Sequence, residues 1–381
     1  MRPNLLIGLN NILAFISFNF FSLLFSLLSK KIETTNSLLI INTGTLGDVI
    51  ISSAVIENFE KYNADKIYFL IDEQYSSLFS FDKPSIQIIP LDKKKYKYSY
   101  FYKYKILKKL NDLNCSDCYN LTSARGISSD ELALLSGAGN VYCFASNWKS
   151  IVKIFERTMD RKYSSVLFPD IFNEYQKHEA LISRLSGNNF QMKHSHQGIN
   201  LECRDEYLFL NKKDYIVIAP FASDMIKSLG VKRYINLCRK LSLNHKVVLI
   251  GSESERKLLD AEFETDSNQN IFNLVGKIKL SHLPYLIYNS KLFIGNDSGL
   301  SHLALKLGVP LIANIGGGSY NRYFPYTGEN AHYLFNCMDC FGCEWKCIHK
   351  EPYCLTGISD KNILAKVDEV LERSKTAYET T

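Results

Sequence analysis

KLFIGNDSGLSHLALKLGVPLIANIGGG, residues Lys291 to Gly318, decides how this chain is read. The apolar run Leu292–Gly295 predicts a strand, and Asn296-Asp297-Ser298-Gly299 a tight polar turn. A short helix follows from about Leu300 to Leu307, with a second apolar strand from Val309. Such a turn gathers backbone N–H groups and the positive end of a helix dipole at one point, a seat for an anion such as a diphosphate. Gly299 has no Cβ to hold a ligand away. Asp297 and His302, five residues apart, can face the same cleft, and ligands of open α/β sheets bind beyond the carboxyl ends of strands. The plainer alternative is a βαβ unit whose Asp297 only caps its helix.

Upstream of this stretch the alternation of short apolar runs and helical segments continues. Strand Tyr215–Ala219, helix 231–243, strand Lys246–Ile250, helix 253–263, strand Ile271–Val275 and helix 280–289 lead into it, and strand Pro310–Ile315 closes the series. Short β-branched strands joined by helices predict a parallel sheet covered on both faces. A similar series starts at Ser37, with strand Leu38–Asn42, a loop Thr43-Gly44-Thr45-Leu46-Gly47-Asp48, a helix from about Val49 to Tyr62 and strand Lys66–Ile71. The expected fold class is therefore α/β, with two doubly wound parallel-sheet domains. We expect a hydrophobic, membrane-associating segment at 1–36, an N-terminal domain at 37–208 and a C-terminal domain with a cysteine-rich loop at 209–358. A C-terminal helix and tail at 359–381 complete the division, and the junction between the domains is expected near Arg204–Asp214, where charge rises.

Composition is that of a globular protein of 381 residues, 46% hydrophobic and 22% charged, long enough for two cores. A net charge of +6 suits anionic substrates or an anionic membrane surface without requiring nucleic acid. Residues 5–28 carry no charge, and Lys30-Lys31 follow them. The length would just span a bilayer, but Asn10, Asn11 and Asn19 lower its hydrophobicity, which favours an interfacial or shallowly inserted anchor. Residues 93–109, KKKYKYSYFYKYKILKK, interleave lysine and tyrosine; a solvated helix or edge, a membrane-facing or sugar-facing surface, and single-stranded nucleic acid are the readings, with nucleic acid the least favoured. Five of ten cysteines fall between Cys337 and Cys354, which speaks against a secreted disulfide scaffold. Cys337, Cys340, Cys343 and Cys347 have C-x2-C-x2-C-x3-C spacing; a structural metal site or inert thiols rank above an iron–sulfur cluster.

The GTLGD loop is neither a G-x-G-x-x-G fingerprint nor a phosphate-binding P-loop. Its Asp48 stands at a helix N-terminus, where a cap is the simplest local reading. Taken together, LLIINTGTLGDVIISSAVIENF, APFASDMIKSLGVKRYINL with KVVLIGSESE, and LVGKIKLSHLPYLIYNSKLFIGNDSGLSHLALKLGVP resemble glycosyltransferase family nine, which includes the ADP-heptose–lipopolysaccharide heptosyltransferases.

The resemblance runs from about Ser37 to the C-terminus and implies a GT-B fold, two domains facing a cleft. It implies an inverting, metal-independent transferase with no cofactor, moving a heptose or related sugar from a nucleotide-diphosphate donor to a lipopolysaccharide-core or other surface-glycan acceptor. A non-catalytic nucleotide-sugar-binding member of the family is the alternative. Asp48 would be the catalytic base. Lys227, Asp297, Ser298, Gly299 and His302 would bind the donor, with Gly276, Lys277 and Glu253 near its base or ribose; Gly47 and Arg125, expected exposed in a Ser/Thr-rich turn, would meet the acceptor. The family's usual Trp two positions after the lysine is Leu229 here. The implied partners are a nucleotide sugar, a lipid-linked or lipopolysaccharide-type glycan and the cytoplasmic face of the inner membrane.

Overall fold

A computed structural model of the chain describes residues 3–28, 34–145, 153–202, 210, 212–263, 268–328 and 330–379. The chain divides into two compact units, Met1–Met192 and Lys193–Thr381.

The first unit runs α1 (Pro3–Leu28), β1 (Thr35–Asn42), α2 (Leu46–Glu57), β2 (Lys66–Asp72), α3 (Glu73–Ser76), β3 (Ile86–Leu91), α4 (Lys93–Tyr98), α5 (Tyr100–Asn111), β4 (Cys115–Asn120), α6 (Ile127–Leu134), β5 (Asn140–Phe144), α7 (Lys153–Asp160), β6 (Ser165–Leu167) and α8 (Glu174–Ser186). Its sheet has the order β3-β2-β1-β4-β5-β6 and is parallel throughout. Leu38–Ile41 and Ile67–Ile71 are almost wholly buried, as strands sandwiched between helical layers must be.

The second unit runs β7 (Tyr215–Ile218), α9 (Val231–Leu241), β8 (Lys246–Leu249), α10 (Glu253–Phe263), β9 (Ile271–Asn273), α11 (Leu283–Tyr288), β10 (Leu292–Asn296), α12 (Gly299–Lys306), β11 (Leu311–Asn314), β12 (Ala331–Leu334), α13 (Tyr353–Thr356) and α14 (Asp360–Glu379). Its order, β12-β11-β10-β7-β8-β9, repeats the topology of the first unit. In each sheet the chain winds outward for three strands and then returns to the other side of the first. The switch points therefore lie between β1 and β4 and between β7 and β10, and the loops leaving those strands are where an open α/β sheet holds ligands.

Several expectations need correction. The junction expected at 208/209 falls in residues 203–209, outside the described residues. The stretch just before it already belongs to the second unit: His194 Nε2 lies 3.1 Å from the Thr327 carbonyl and its ring meets Tyr326 edge-on, while His196 packs on Tyr288. The expected helix from Val49 to Tyr62 starts earlier, at Leu46, and gives way after Glu57 to a 3₁₀ turn at Phe59–Lys61. Strand β12 was not expected at all.

The N-terminal segment is not a separate anchor. Phe18, Phe21 and Phe25 on α1 belong to the first unit's core, with Leu107, Leu110 and Leu132. Lys103 Nζ donates to Ser17 Oγ (2.9 Å) and pairs with Glu131 (2.7 Å), which also accepts from Tyr96 (2.9 Å), so one buried polar cluster joins α1, α4, α5 and α6. Among the described residues no helix is long and apolar enough to cross a membrane. Lys30 and Lys31, expected to sit at a membrane surface, lie outside the described residues. Helix α14 likewise buries Ile363, Val367, Val370 and Leu371 in the second unit's core.

Candidate active site

In the first unit, β1 ends in Asn42, whose buried amide donates to the Asp48 carbonyl (3.1 Å) and to Ser52 Oγ (2.6 Å), fastening the loop to the start of α2. Asp48 is 7% exposed. Its Oδ2 accepts from the Thr45 N–H and hydroxyl, both at 2.8 Å, and its Oδ1 accepts from Ser123 Oγ at 2.6 Å, on the loop after β4. Asp48 thus closes the β1 loop onto its helix and ties it to the β4 loop across the switch point. Gly44 is glycine because a Cβ there would stand 2.6 Å from Asp48 Oδ2. Gly47 lies buried in the first turn of α2.

Behind Asp48, Ser52 Oγ lies 2.9 Å from His178 Nε2, and His178 Nδ1 lies 2.7 Å from the Glu174 carbonyl. That carbonyl can only accept, so Nδ1 carries the proton and Nε2 accepts from Ser52. Burial lowers the His178 pKa to about 4, so the ring is neutral near pH 7. The sequence shows His178 on a helix but not its meeting with Ser52, which depends on α2 packing against α8.

Arg125 departs from expectation. Its side chain is 1% exposed, paired with Asp130 at 3.5 Å and with Asp160, and its guanidinium lies over Tyr163. A guanidinium so enclosed fastens the β4 loop to α6 and α7 rather than offering itself to an acceptor. A turn rich in Ser and Thr looks solvated in sequence; two carboxylates from other elements pull this arginine inward.

In the second unit, β10 ends in Asn296, fully buried. It accepts from Tyr234 OH (2.7 Å) and donates to the Pro220 carbonyl (3.1 Å), joining the β7 loop to the β10 loop. Asp297 follows, 9% exposed, accepting from Ser319 Oγ at 2.6 Å. Ser298 occupies the N-cap of α12, yet its hydroxyl is buried and has no hydrogen-bond partner among the described residues. Gly299 opens the helix.

Lys227 ends a 3₁₀ turn on the β7 loop, and its ammonium sits 5.6 Å from the centre of the Trp345 ring. Trp345 comes from the cysteine-rich loop, which docks on Gly316–Gly318 through Gly342 N–H to the Gly317 carbonyl (2.8 Å) and Glu344 N–H to the Gly318 carbonyl (3.1 Å). A Cβ at Gly316 or Gly318 would collide with Trp345, and one at Gly317 with Phe341. Leu229 is buried in the core. An indole does stand by Lys227, but it arrives from a loop more than a hundred residues later in the chain.

His302 is 4% exposed, stacked on Phe324 at 4.3 Å and edge-on to Tyr323. It is packed among aromatics of the segment after β11. Gly276 and Glu253 do meet: Gly276 has φ +71° and its missing Cβ leaves room for the Glu253 carboxylate, which also lies 3.7 Å from Arg256. Lys277 folds back to the Asn273 carbonyl (3.0 Å).

The four cysteines of the C-x2-C-x2-C-x3-C run do not gather. Among the described residues no group of three or more His, Cys, Asp or Glu stands where it could hold a metal ion. Cys340, Cys343 and Cys347 line a small cavity with Cys354, closed by Gly317, Gly318 and Trp345, and Cys337 is exposed outside it. Burial, and then the neighbouring Cys340, Cys343 and Cys347, push the Cys354 thiol pKa up. Cys115 and Cys118 are buried on β4, with pKa values raised by desolvation, as suits core thiols.

Comparison with known proteins agrees with this architecture. The chain is 25% identical over 179 residues to lipooligosaccharide heptosyltransferase 2 of Campylobacter jejuni, a match covering 46% of this chain and 56% of that relative. The chain thus spans little more than half the length of this curated relative. A glycosyl transferase family 9 structure from Veillonella parvula aligns with a TM-score of 0.70 at 18% identity, over 89% of this chain and 98% of that one. E. coli ADP-heptose lps heptosyltransferase II aligns at 0.66 and 18%, over 89% and 99%. These likenesses establish a GT-B-like fold of two parallel-sheet domains. The sequence profile of glycosyltransferase family 9 (heptosyltransferase) matches residues 138–349, which takes in the Lys227 and Asp297–Gly299 loops and begins beyond Asp48. With more than half its length matched, the chain belongs to glycosyltransferase family 9.

Proposed function

We propose that this chain is an inverting glycosyltransferase that takes a heptose or related sugar from a nucleoside-diphosphate donor, ADP-heptose or a close relative, and places it on a lipopolysaccharide-core or other surface-glycan acceptor. The observation that carries the reading is Ser298 Oγ, a buried hydroxyl at the N-cap of α12 without a partner among the described residues. Burying such a group costs roughly 1–3 kcal/mol unless something bonds it, and a diphosphate oxygen at the helix N-terminus would do so. Lys227, on the adjoining loop, supplies the positive charge, and Trp345 limits where its ammonium can go.

In this reading the acceptor hydroxyl attacks the anomeric carbon while its proton passes to Asp48. The bond from that carbon to the donor phosphate breaks, and its electron pair leaves on the nucleoside diphosphate. Lys227 and the first amides of α12 offset the new charge without calling on a metal ion. Direct displacement of this kind inverts the anomeric centre.

The test is a donor thermal-shift titration and a transfer assay on wild type and Lys227→Ala. Donor at a hundred times its dissociation constant should stabilise wild type by about 2.7 kcal/mol. Loss of one charge-stabilising donor should cost transfer roughly 2–4 kcal/mol of transition-state free energy. Donor binding without turnover would instead identify a nucleotide-sugar-binding protein, and unchanged kinetics in Lys227→Ala would remove that residue from the site.

A further inference from the structure

Helix α1 has two faces. Phe18, Phe21 and Phe25 point into the first unit. On the other side Ile12, Leu13, Ile16, Phe20, Leu23 and Leu27 are 49% to 76% exposed, and five of them follow the helical spacing 12, 16, 20, 23, 27. No charged residue interrupts the helix from Pro3 to Leu28, which at 1.5 Å per residue is about 39 Å long. The exposed apolar stripe from Ile12 to Leu27 covers about 23 Å of that helix, and a contiguous patch of this kind marks an interaction face.

The stripe does not stand alone. Phe20 packs edge-on against Phe21, and Phe21 stacks on Tyr100 of α5, so the apolar ridge continues into the lysine–tyrosine segment. There Tyr98, Tyr100 and Phe101 are 66% to 71% exposed. Lys94, Lys97, Lys105 and Lys109 are exposed beside them, with Lys97 over the Tyr98 ring and Lys105 over Phe101. A further exposed lysine, Lys162, reaches over Phe18. Two segments that look unrelated in sequence thus form one surface, an apolar ridge bordered by aromatic rings and ammonium groups.

We propose that this combined face of α1, α4 and α5 seats the chain on an anionic lipid bilayer, with α1 lying in the plane of the interface. The charge pattern selects the occupant. Uncharged side chains enter the acyl boundary, tyrosines and phenylalanine sit at headgroup depth, and lysines meet lipid phosphates. Nucleic acid would satisfy the lysines but leave the apolar stripe in water. The helix cannot leave to span the bilayer, since its inner face is core and Ser17 is bonded to buried Lys103.

The experiment is flotation of the purified full chain with vesicles of phosphatidylglycerol and phosphatidylethanolamine, against phosphatidylcholine alone, at low and high salt. Neither donor nor glycan is present, so the result is independent of the transferase reading. Wild type should float with the anionic vesicles and less well in salt. An Ile16→Gln/Phe20→Gln/Leu23→Gln variant should bind at least tenfold more weakly. Lys94→Gln/Lys97→Gln/Lys105→Gln should lose about fivefold per lysine, on anionic vesicles only. All these positions are exposed, and unchanged melting of the variants would show that they fold. The proposal fails if wild type stays with the unbound protein, or if the apolar variant floats as well as wild type. It fails too if wild type is an oligomer that the apolar variant converts to monomer, which would assign the face to a second copy of the chain.

Discussion

Asp48 carries two readings at once, and one substitution separates them. Its carboxylate holds Thr45 and Ser123 in the structure, which is capping; the family resemblance asks it to accept a proton. In Asp48→Asn the amide oxygen can take both Thr45 donors, and the amide N–H can turn to Ser123, whose hydroxyl can accept. We therefore predict a stability loss of about 1 kcal/mol or less, donor binding retained, and turnover lower by about 10²–10⁴-fold. Melting, donor affinity and rate measured on the same sample decide it, and near-normal turnover would leave Asp48 a cap. His178 gives a second prediction. Its pKa of about 4 in the fold lies below the ordinary 6.5, so between those values the unfolded chain binds a proton that the native ring refuses. Stability from this group is complete above about pH 6.5 and is lost as pH falls toward 4, on the order of 3 kcal/mol across the window. Denaturant titrations at pH 4.5 and 7 should show that slope reduced in His178→Gln; an equal slope would assign the acid sensitivity to other groups.

At the scale of elements, α1 is the one whose nature the structure changed most. Treated as a detachable anchor, it should be removable without harm to the rest. Docked as it is, its loss would uncover Leu107, Leu110 and their neighbours. We predict that Phe21→Ala, at a position 2% exposed between Phe20 and Tyr100, destabilises by about 3 kcal/mol. Phe20→Ala, 59% exposed, should stay within about 0.5 kcal/mol. Equal melting temperatures for the two variants would show that α1 is not part of the core. The glycine run Gly316–Gly318 makes the same point from the opposite side. It is bare of side chains because Trp345 and Phe341, from a loop later in the chain, lie against it.

For the whole molecule, local pattern was enough for the parallel α/β class and for five strands of the second sheet, but not for β12, nor for the strands of the first sheet beyond β1 and β2. Apolar runs of four to six residues such as LLII and YIVI, alternating with helical segments, fit parallel strands covered on both faces by helices, and the polar turns after β1 and β10 could be placed from their own residues. Asn42 and Asn296, which bind those turns to neighbouring loops, were also visible, as the polar ends of apolar strands, but their partners were not. What tertiary structure alone decided was every contact between residues distant in the chain. It turned Arg125 inward between two aspartates, set His302 against Phe324, brought Trp345 over Lys227, exchanged Cys354 for Cys337 beside the other thiols, and laid α1 on the lysine–tyrosine segment. Periodicity reports which face of an element avoids water, because that preference belongs to each side chain. Which other element covers that face is a property of packing, and no stretch of sequence carries it by itself.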